Sequence, residues 1–236
     1  MEAMSDDNAT RAFEAKSLEL VRDIQSELVT GLNALGRKSH RGLEDQFPFY
    51  SASHINRAVE GYLLLRQQFR FDASRLLIRP AIEAAIKILA VRNQPDLLYR
   101  IAYSEHLEDR KLVARAADAA AYFAQLEEKW CEFVKAYSDH FPKHELVDKR
   151  LPLRCAAIAA RIEAYYDSAY RLYSQFAHAA FRATTGNLDD LHTHDNRTMA
   201  LCALTGLDAV TSLNESALDV EPFRTRLSEL HVNAEE

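Results

Sequence analysis

The chain has 236 residues, 48% of them hydrophobic, and a formal net charge of −6, enough to bury a core in one large domain without covalent staples. Its three cysteines, Cys131, Cys155 and Cys202, are odd in number, widely spaced and outside any C-x-x-C pattern, which argues against a disulfide framework and predicts small buried hydrophobes in a reduced, cytoplasmic protein. The opening "MEAMSDDNATR" is acidic rather than basic and then apolar, and no run approaches the ~18 apolar residues of a membrane span, so neither a secretory signal nor a membrane anchor is expected.

Six glycines and six prolines leave few places to turn, while alanine, leucine, arginine and glutamate recur throughout, a composition that favours helix over sheet. A first helix is predicted from near Asp6 to Leu35, carrying Phe13, Leu20, Ile24, Leu28 and Leu35 at helical spacing, with Gly36 as its stop. "GRKSHRGLEDQFPFYS" reads as a loop, with Ser53 capping a second helix through Val59, Tyr62, Leu63 and Phe69. A third runs from Asp72 or Ser74 through Leu89, with Pro80 in its first turn or at a kink. Between Pro95 and Pro142 the pattern predicts one long helix or two, with Trp130, Tyr122, Phe123 and Phe133 in the core. Beyond Pro152 helix resumes, broken near Asp167 and ended by Gly186. "NLDDLHTHD" reads as a loop, Asn196 caps the next helix, and a short amphipathic piece spans Phe223 to Leu230.

With no internal repeat and no Gly/Ser-rich linker, the chain reads as all-α, a single helical bundle of roughly six to eight helices over 1–236, its core about 53–216 and its tail frayed at about 231–236.

The chemistry-bearing stretch is "YRLYSQFAHAAFR", Tyr170 to Arg182. At 100° per residue Ala169, Leu172, Tyr173, Phe176, Ala177 and Ala180 share one side, and Arg171, Ser174, Gln175, His178 and Arg182 the other. Arg171 and His178 then lie nearly in line, about 10 Å apart along the axis. A neutral imidazole can take the proton of an RNA 2′-hydroxyl and a guanidinium can hold the oxyanion that forms, with no metal. The spacing alone carries no weight. With 21 arginines and nine histidines, about two to three pairs with four to six intervening residues arise by chance, and the chain has four: Arg100/His106, Arg171/His178, Arg224/His231 and Arg226/His231.

The Arg171/His178 spacing resembles the motif of the HEPN (higher eukaryotes and prokaryotes nucleotide-binding) superfamily. That resemblance implies a helical bundle, a homodimer bringing two motifs together, and metal-independent RNA cleavage in toxin or defence systems. Here six residues intervene rather than the commoner four, and Leu172 stands where a polar residue is usual. A second resemblance lies in "SRLLIRPAIEAAIKIL" with Tyr170, Ser174 and His178 at successive i+4 steps. It is similar to a bacterial family of unknown function with an Arg-x-x-x-Glu helix, here Arg79 and Glu83, and a Tyr-x-x-x-Ser-x-x-x-His helix, itself linked to HEPN proteins.

Arg79 and Glu83, one turn apart, can pair for about 0.2–0.5 kcal/mol. Buried beside His178 they would become second supports of a site, with Tyr170 and Ser174 as hydrogen-bond donors. Residues 53–93 carry seven basic and three acidic side chains and residues 152–182 four and two, so both motif-bearing segments are basic in an acidic protein and would steer an anion if they pack together. The functional expectation is RNA binding or cleavage with His178 as base, Arg171 and Arg182 on phosphate, no cofactor and no metal. The alternatives are a non-catalytic interaction module held by a buried polar network, and a regulatory pocket for a small anionic ligand. "LHTHD", with His192, His194 and Asp195, and the pair His140 and His144 are weak metal patterns for want of further ligands. No phosphate loop, dinucleotide fingerprint or nucleophile elbow occurs.

Overall fold

The structure is a computed structural model that describes residues 3–36, 42–113, 120–140, 151–177, 191–214 and 218–232. Among these residues helices, joined by short turns, are the secondary structure, with no strand. The elements are α1 (Ala3–Leu35), α2 (Leu43–Gln67), α3 (Phe71–Arg75), α4 (Ile78–Asn93), α5 (Leu97–Val113), α6 (Ala120–Ala136) and α7 (Leu153–Ala159). Then come α8 (Glu163–Tyr165), a π-helical stretch (Tyr166–Tyr170), α9 (Arg171–Ala177), α10 (Leu191–Asn214) and α11 (Glu221–Val232). No helix among the described residues is long and apolar enough to cross a membrane.

The bundle centres on α10, which packs against α1, α2, α4 and α11. Its core is built from the stripes the sequence spacing marks: Leu20, Ile24 and Leu28 on α1, Ile55, Val59 and Tyr62 on α2, Ile78, Ile82 and Ile86 on α4, and Met199, Ala203, Leu207 and Val210 on α10. Each fully buried aliphatic side chain of this kind contributes about 1.5–3 kcal/mol. Helix α4, with Ala81, Ala84 and Ala85 among its buried residues, packs against α7, whose buried residues are all alanines. Helix α5 gives Leu97 to this core and, with α6, builds a second apolar cluster in which Leu98 and Tyr99 pack with the half-buried Trp130 and Phe133. Tyr122, expected inside, is 62% exposed.

Several boundaries differ from the sequence reading. Helix α2 begins ten residues before Ser53, at Leu43, and carries Pro48 within it. Tertiary contacts hold this extension: Tyr137 Oη hydrogen-bonds the Leu43 backbone N–H at 3.1 Å, and Tyr99 Oη donates to Glu44 at 2.8 Å. The third predicted helix divides at Leu76–Leu77 into α3 and α4, which leaves Pro80 in the first turn of α4, where its missing N–H costs nothing. The break expected near Asp167 falls earlier. Arg161, at φ 60°, sits just past the end of α7, where its N–H bonds Ile158 O and the Ile162 N–H reaches back to Ala157 O; this is the Schellman arrangement made without glycine. Phe69, at φ 57°, ends α2 in the same way, through Arg66 O and Leu65 O. "LHTHD" is not loop but the first turns of α10, and Asn196 does not cap, because its side chain is engaged elsewhere. Of the cysteines, Cys202 is buried as expected, whereas Cys131 and Cys155 are exposed. Gly186 and His144 lie outside the described residues.

Candidate functional site

Helix α9 buries Ala169 of the preceding π turn together with its own Tyr173 and Phe176, an i, i+4, i+7 stripe, and turns Arg171 and Gln175 to solvent. Two tyrosines on either side of Arg171 tie this segment to the bundle. Tyr170 donates to Glu83 Oε1 on α4 at 2.9 Å, and Tyr173 donates to Asp195 Oδ1 on α10 at 2.8 Å. Arg171 itself is 70% exposed, with Asp167 at 3.7 Å.

Asp195 is the centre of a buried charged cluster. Its side chain is fully buried, and its second oxygen accepts from Arg75 Nε at 2.8 Å and lies 4.0 Å from Arg66 Nη1. Both guanidinium groups are 1% exposed. Arg75 also reaches Asp72 and stands 5.3 Å from the Phe176 ring centre. Arg66 pairs with Glu14 on α1 and is sandwiched against Phe71 at 4.5 Å, while its Nε and Nη1 find no hydrogen-bond partner among the described residues. Glu14 also lies 3.4 Å from His192 Nδ1, and His192 stacks on Phe71 at 4.4 Å. Beside them Tyr62 donates to Asn196 Oδ1 at 2.6 Å, and Asn196 Nδ2 donates to Ser17 Oγ at 2.9 Å.

Burial pushes the Asp195 carboxyl above the usual carboxylate range, against the opposing pull of Arg75, Tyr173 and Arg66. The Tyr173 phenol is raised well above its ordinary value by burial and then by Asp195. It therefore stays protonated and donates throughout the neutral range. His194 stacks over Tyr173, and burial followed by Arg197 lowers its pKa. Both Asp195 oxygens are engaged, and His192 and His194 face different partners, Glu14 with Phe71 and Tyr173.

The second cluster joins three of the residues singled out in the sequence. Arg79 Nε donates to Glu83 Oε1 at 3.0 Å, the same oxygen that receives Tyr170, and the guanidinium lies 5.6 Å from the Tyr170 ring centre. Tyr166 stacks on Tyr170 at 4.9 Å. Burial, then the Glu83 carboxylate, raises the Tyr170 pKa. Ser174 is half-buried on the next turn. The π-helical stretch matters here, because one such turn shifts the register of the side chains that follow, a device frequent at functional sites. His178 and Arg182 lie outside the described residues, so the structure brings together Arg79, Glu83 and Tyr170, sets Arg171 on the open face, and does not bear on the other two.

Sequence reasoning missed Arg66, Arg75, Tyr173 and Asp195 as a unit. Arg75 and Asp195 are separated by 120 positions, and no local spacing signals such a pair. The one available hint was an aspartate and an asparagine in the middle of what proves to be a buried helix face.

No curated protein and no solved structure matches the chain. A family model does, over residues 50–197, well over half of the chain. The matched span runs from α2 to the second turn of α10 and so contains both clusters, with Glu14 and Ser17 outside it. The chain belongs to the family of unknown function DUF5677.

Proposed function

We propose that the chain is a HEPN-like helical protein that binds and cleaves RNA without a metal, with Arg171 and Arg182 on phosphate and His178 as general base, acting as a homodimer in the cytoplasm of a bacterium, within a toxin or defence system. The observation that carries this reading is the anchoring of α9: Tyr170 and Tyr173 are each bonded to a carboxylate on another helix, while Arg171 between them is left 70% exposed. A guanidinium on a rigidly held helix loses little freedom when it takes a phosphate, which is what preorganised catalysis requires. Arg154, also exposed, lies 4.0 Å from Asp167 on the same side and adds positive charge to the face. Anisotropy titrations of labelled RNA test the binding half. Arg171→Ala is expected to weaken binding alike across unrelated sequences and to reduce the salt slope of the affinity by about 1 for each site lost. Unchanged affinity and slope would remove Arg171 from the interface.

A second reading, a non-catalytic interaction module, is favoured by one specific observation: Arg79, Glu83 and Tyr170 satisfy one another, as a structural network does. It predicts that Glu83→Gln lowers stability and leaves RNA untouched.

A further inference from the structure

Beside the Arg79–Glu83–Tyr170 cluster runs a groove of about 840 Å³, within the ~300–1,000 Å³ typical of small-molecule sites. One wall is the α4 stripe Arg79, Glu83 and Lys87. The other is the acidic stripe Glu105, Glu108 and Asp109 on α5. Ile101, Leu153 and Ala156 form an apolar floor, and the segment entering α7 is pinned over it by a hydrogen bond from the Leu151 backbone N–H to Ser104 Oγ at 2.9 Å. Eight residues separate Ile101 from Asp109, so the groove runs about 12 Å along α5, from an apolar end to an acidic one.

The charges along it are unevenly matched. Arg79 is held by Glu83 at 3.0 Å, Lys87 by Glu105 at 2.7 Å, and Glu108 meets Lys111 at 2.9 Å. Asp109 has no ion-pair partner among the described residues. The lining thus carries more carboxylates than cations, with the excess at one end. Phosphate is repelled there, so an RNA strand passes over the outer face of α9 and not through this groove. Tyr170 closes the side of the groove, its ring stacked with Tyr166 and beneath the Arg79 guanidinium.

We propose that this groove binds a small amphipathic organic cation, its hydrocarbon body on Ile101, Leu153 and Ala156 and its ammonium or guanidinium head at Asp109 and Glu108. The site is independent of the RNA reading and uses neither Arg171 nor His178. Calorimetric titration of the purified protein with hexylammonium, hexanol and hexanoate, three probes with the same hydrocarbon body, provides the test. Hexylammonium is expected to bind saturably with a Kd of about 1 mM or tighter and to raise the melting temperature, hexanol to bind more weakly, and hexanoate not at all. The pair of reversals Glu108→Lys and Asp109→Lys alters two exposed residues, so folding is retained, and should weaken hexylammonium binding by at least about tenfold. Failure of hexylammonium to bind, hexanoate binding as tightly, or a doubly reversed protein that binds as the wild type does would each overturn the proposal.

Discussion

Removing the Asp195 carboxylate strands two guanidinium groups and a phenol in the interior at once. Truncating one partner of a buried ion pair costs about 3–5 kcal/mol, and Asp195→Ala is expected to lose that much in chemical denaturation. Tyr173→Phe removes one hydrogen bond and leaves one Asp195 oxygen with less company, a loss of about 1–3 kcal/mol. Arg171→Ala, at an exposed position, should stay within about 0.5 kcal/mol of wild type. If Asp195→Ala melts with the wild type, the buried cluster is not what holds α9. The residue scale also separates what a sequence can show from what it cannot. Arg79 and Glu83 are neighbours by helical geometry alone, and that pair is legible from spacing. Asp195 was legible only as one acid in "LHTHD", because its meaning comes from Arg75 on a distant helix.

At the scale of elements, the apolar stripes of α1, α4 and α10 read directly from their periodicity, and α1 stops at Leu35, just before Gly36, whose N–H still bonds Leu32 O. The hidden boundaries are those made without the usual marks. Arg161 and Phe69 take the left-handed conformation that glycine normally supplies, so nothing in the sequence announced the end of α7, and the continuous apolar pattern across 153–177 concealed a turn. That conformation costs a non-glycine residue about 1–2 kcal/mol, part of which glycine would return through its looser unfolded state. Arg161→Gly should therefore raise stability by roughly 0.5–1 kcal/mol in thermal melts, and a clear loss would mean that the Arg161 side chain contributes more than its backbone gives up. Gly31 tests the central crossing of α1 and α10 in the opposite sense. A Cβ there would stand 2.6 Å from Val210 Cγ1, on a β-branched side chain with little freedom to turn away. Gly31→Ala is expected to cost about 1–3 kcal/mol of overpacking despite alanine's better helix propensity, measured by denaturant unfolding.

At the scale of the whole molecule, stability should fall at both ends of the pH range. His106, stacked on Trp130, and His194, stacked on Tyr173, have pKa values lowered from 6.5, in both cases chiefly by burial. Their contribution is present above pH 6.5 and is lost as the pH falls through the folded-state values, because the unfolded chain takes up protons that the folded one resists. Melting temperatures should drop below pH 6.5, and His106→Gln and His194→Gln should each flatten that slope. At the alkaline end the sign reverses. Burial raises the phenols of Tyr62, Tyr165 and Tyr173 above their ordinary 10.0, so their contribution is held below pH 10 and lost as the pH rises above it, which a spectrophotometric tyrosine titration alongside melting curves would register. The all-helical class and most of the core were legible from composition and periodicity. The packing of the motif-bearing helix against a buried acidic hub was not, because Tyr173 and Tyr170 reach carboxylates 22 and 87 positions away and Arg75 meets Asp195 across 120.

The claim that this helix is a catalytic one is tested most directly by incubating the wild-type, Arg171→Ala and His178→Ala proteins with a mixed pool of labelled RNA in EDTA and recording their melting curves in parallel. The account predicts cleavage by the wild type alone, with all three proteins melting together. An inactive wild type, with a His178→Ala protein that melts early, would contradict it and make those side chains part of the scaffold.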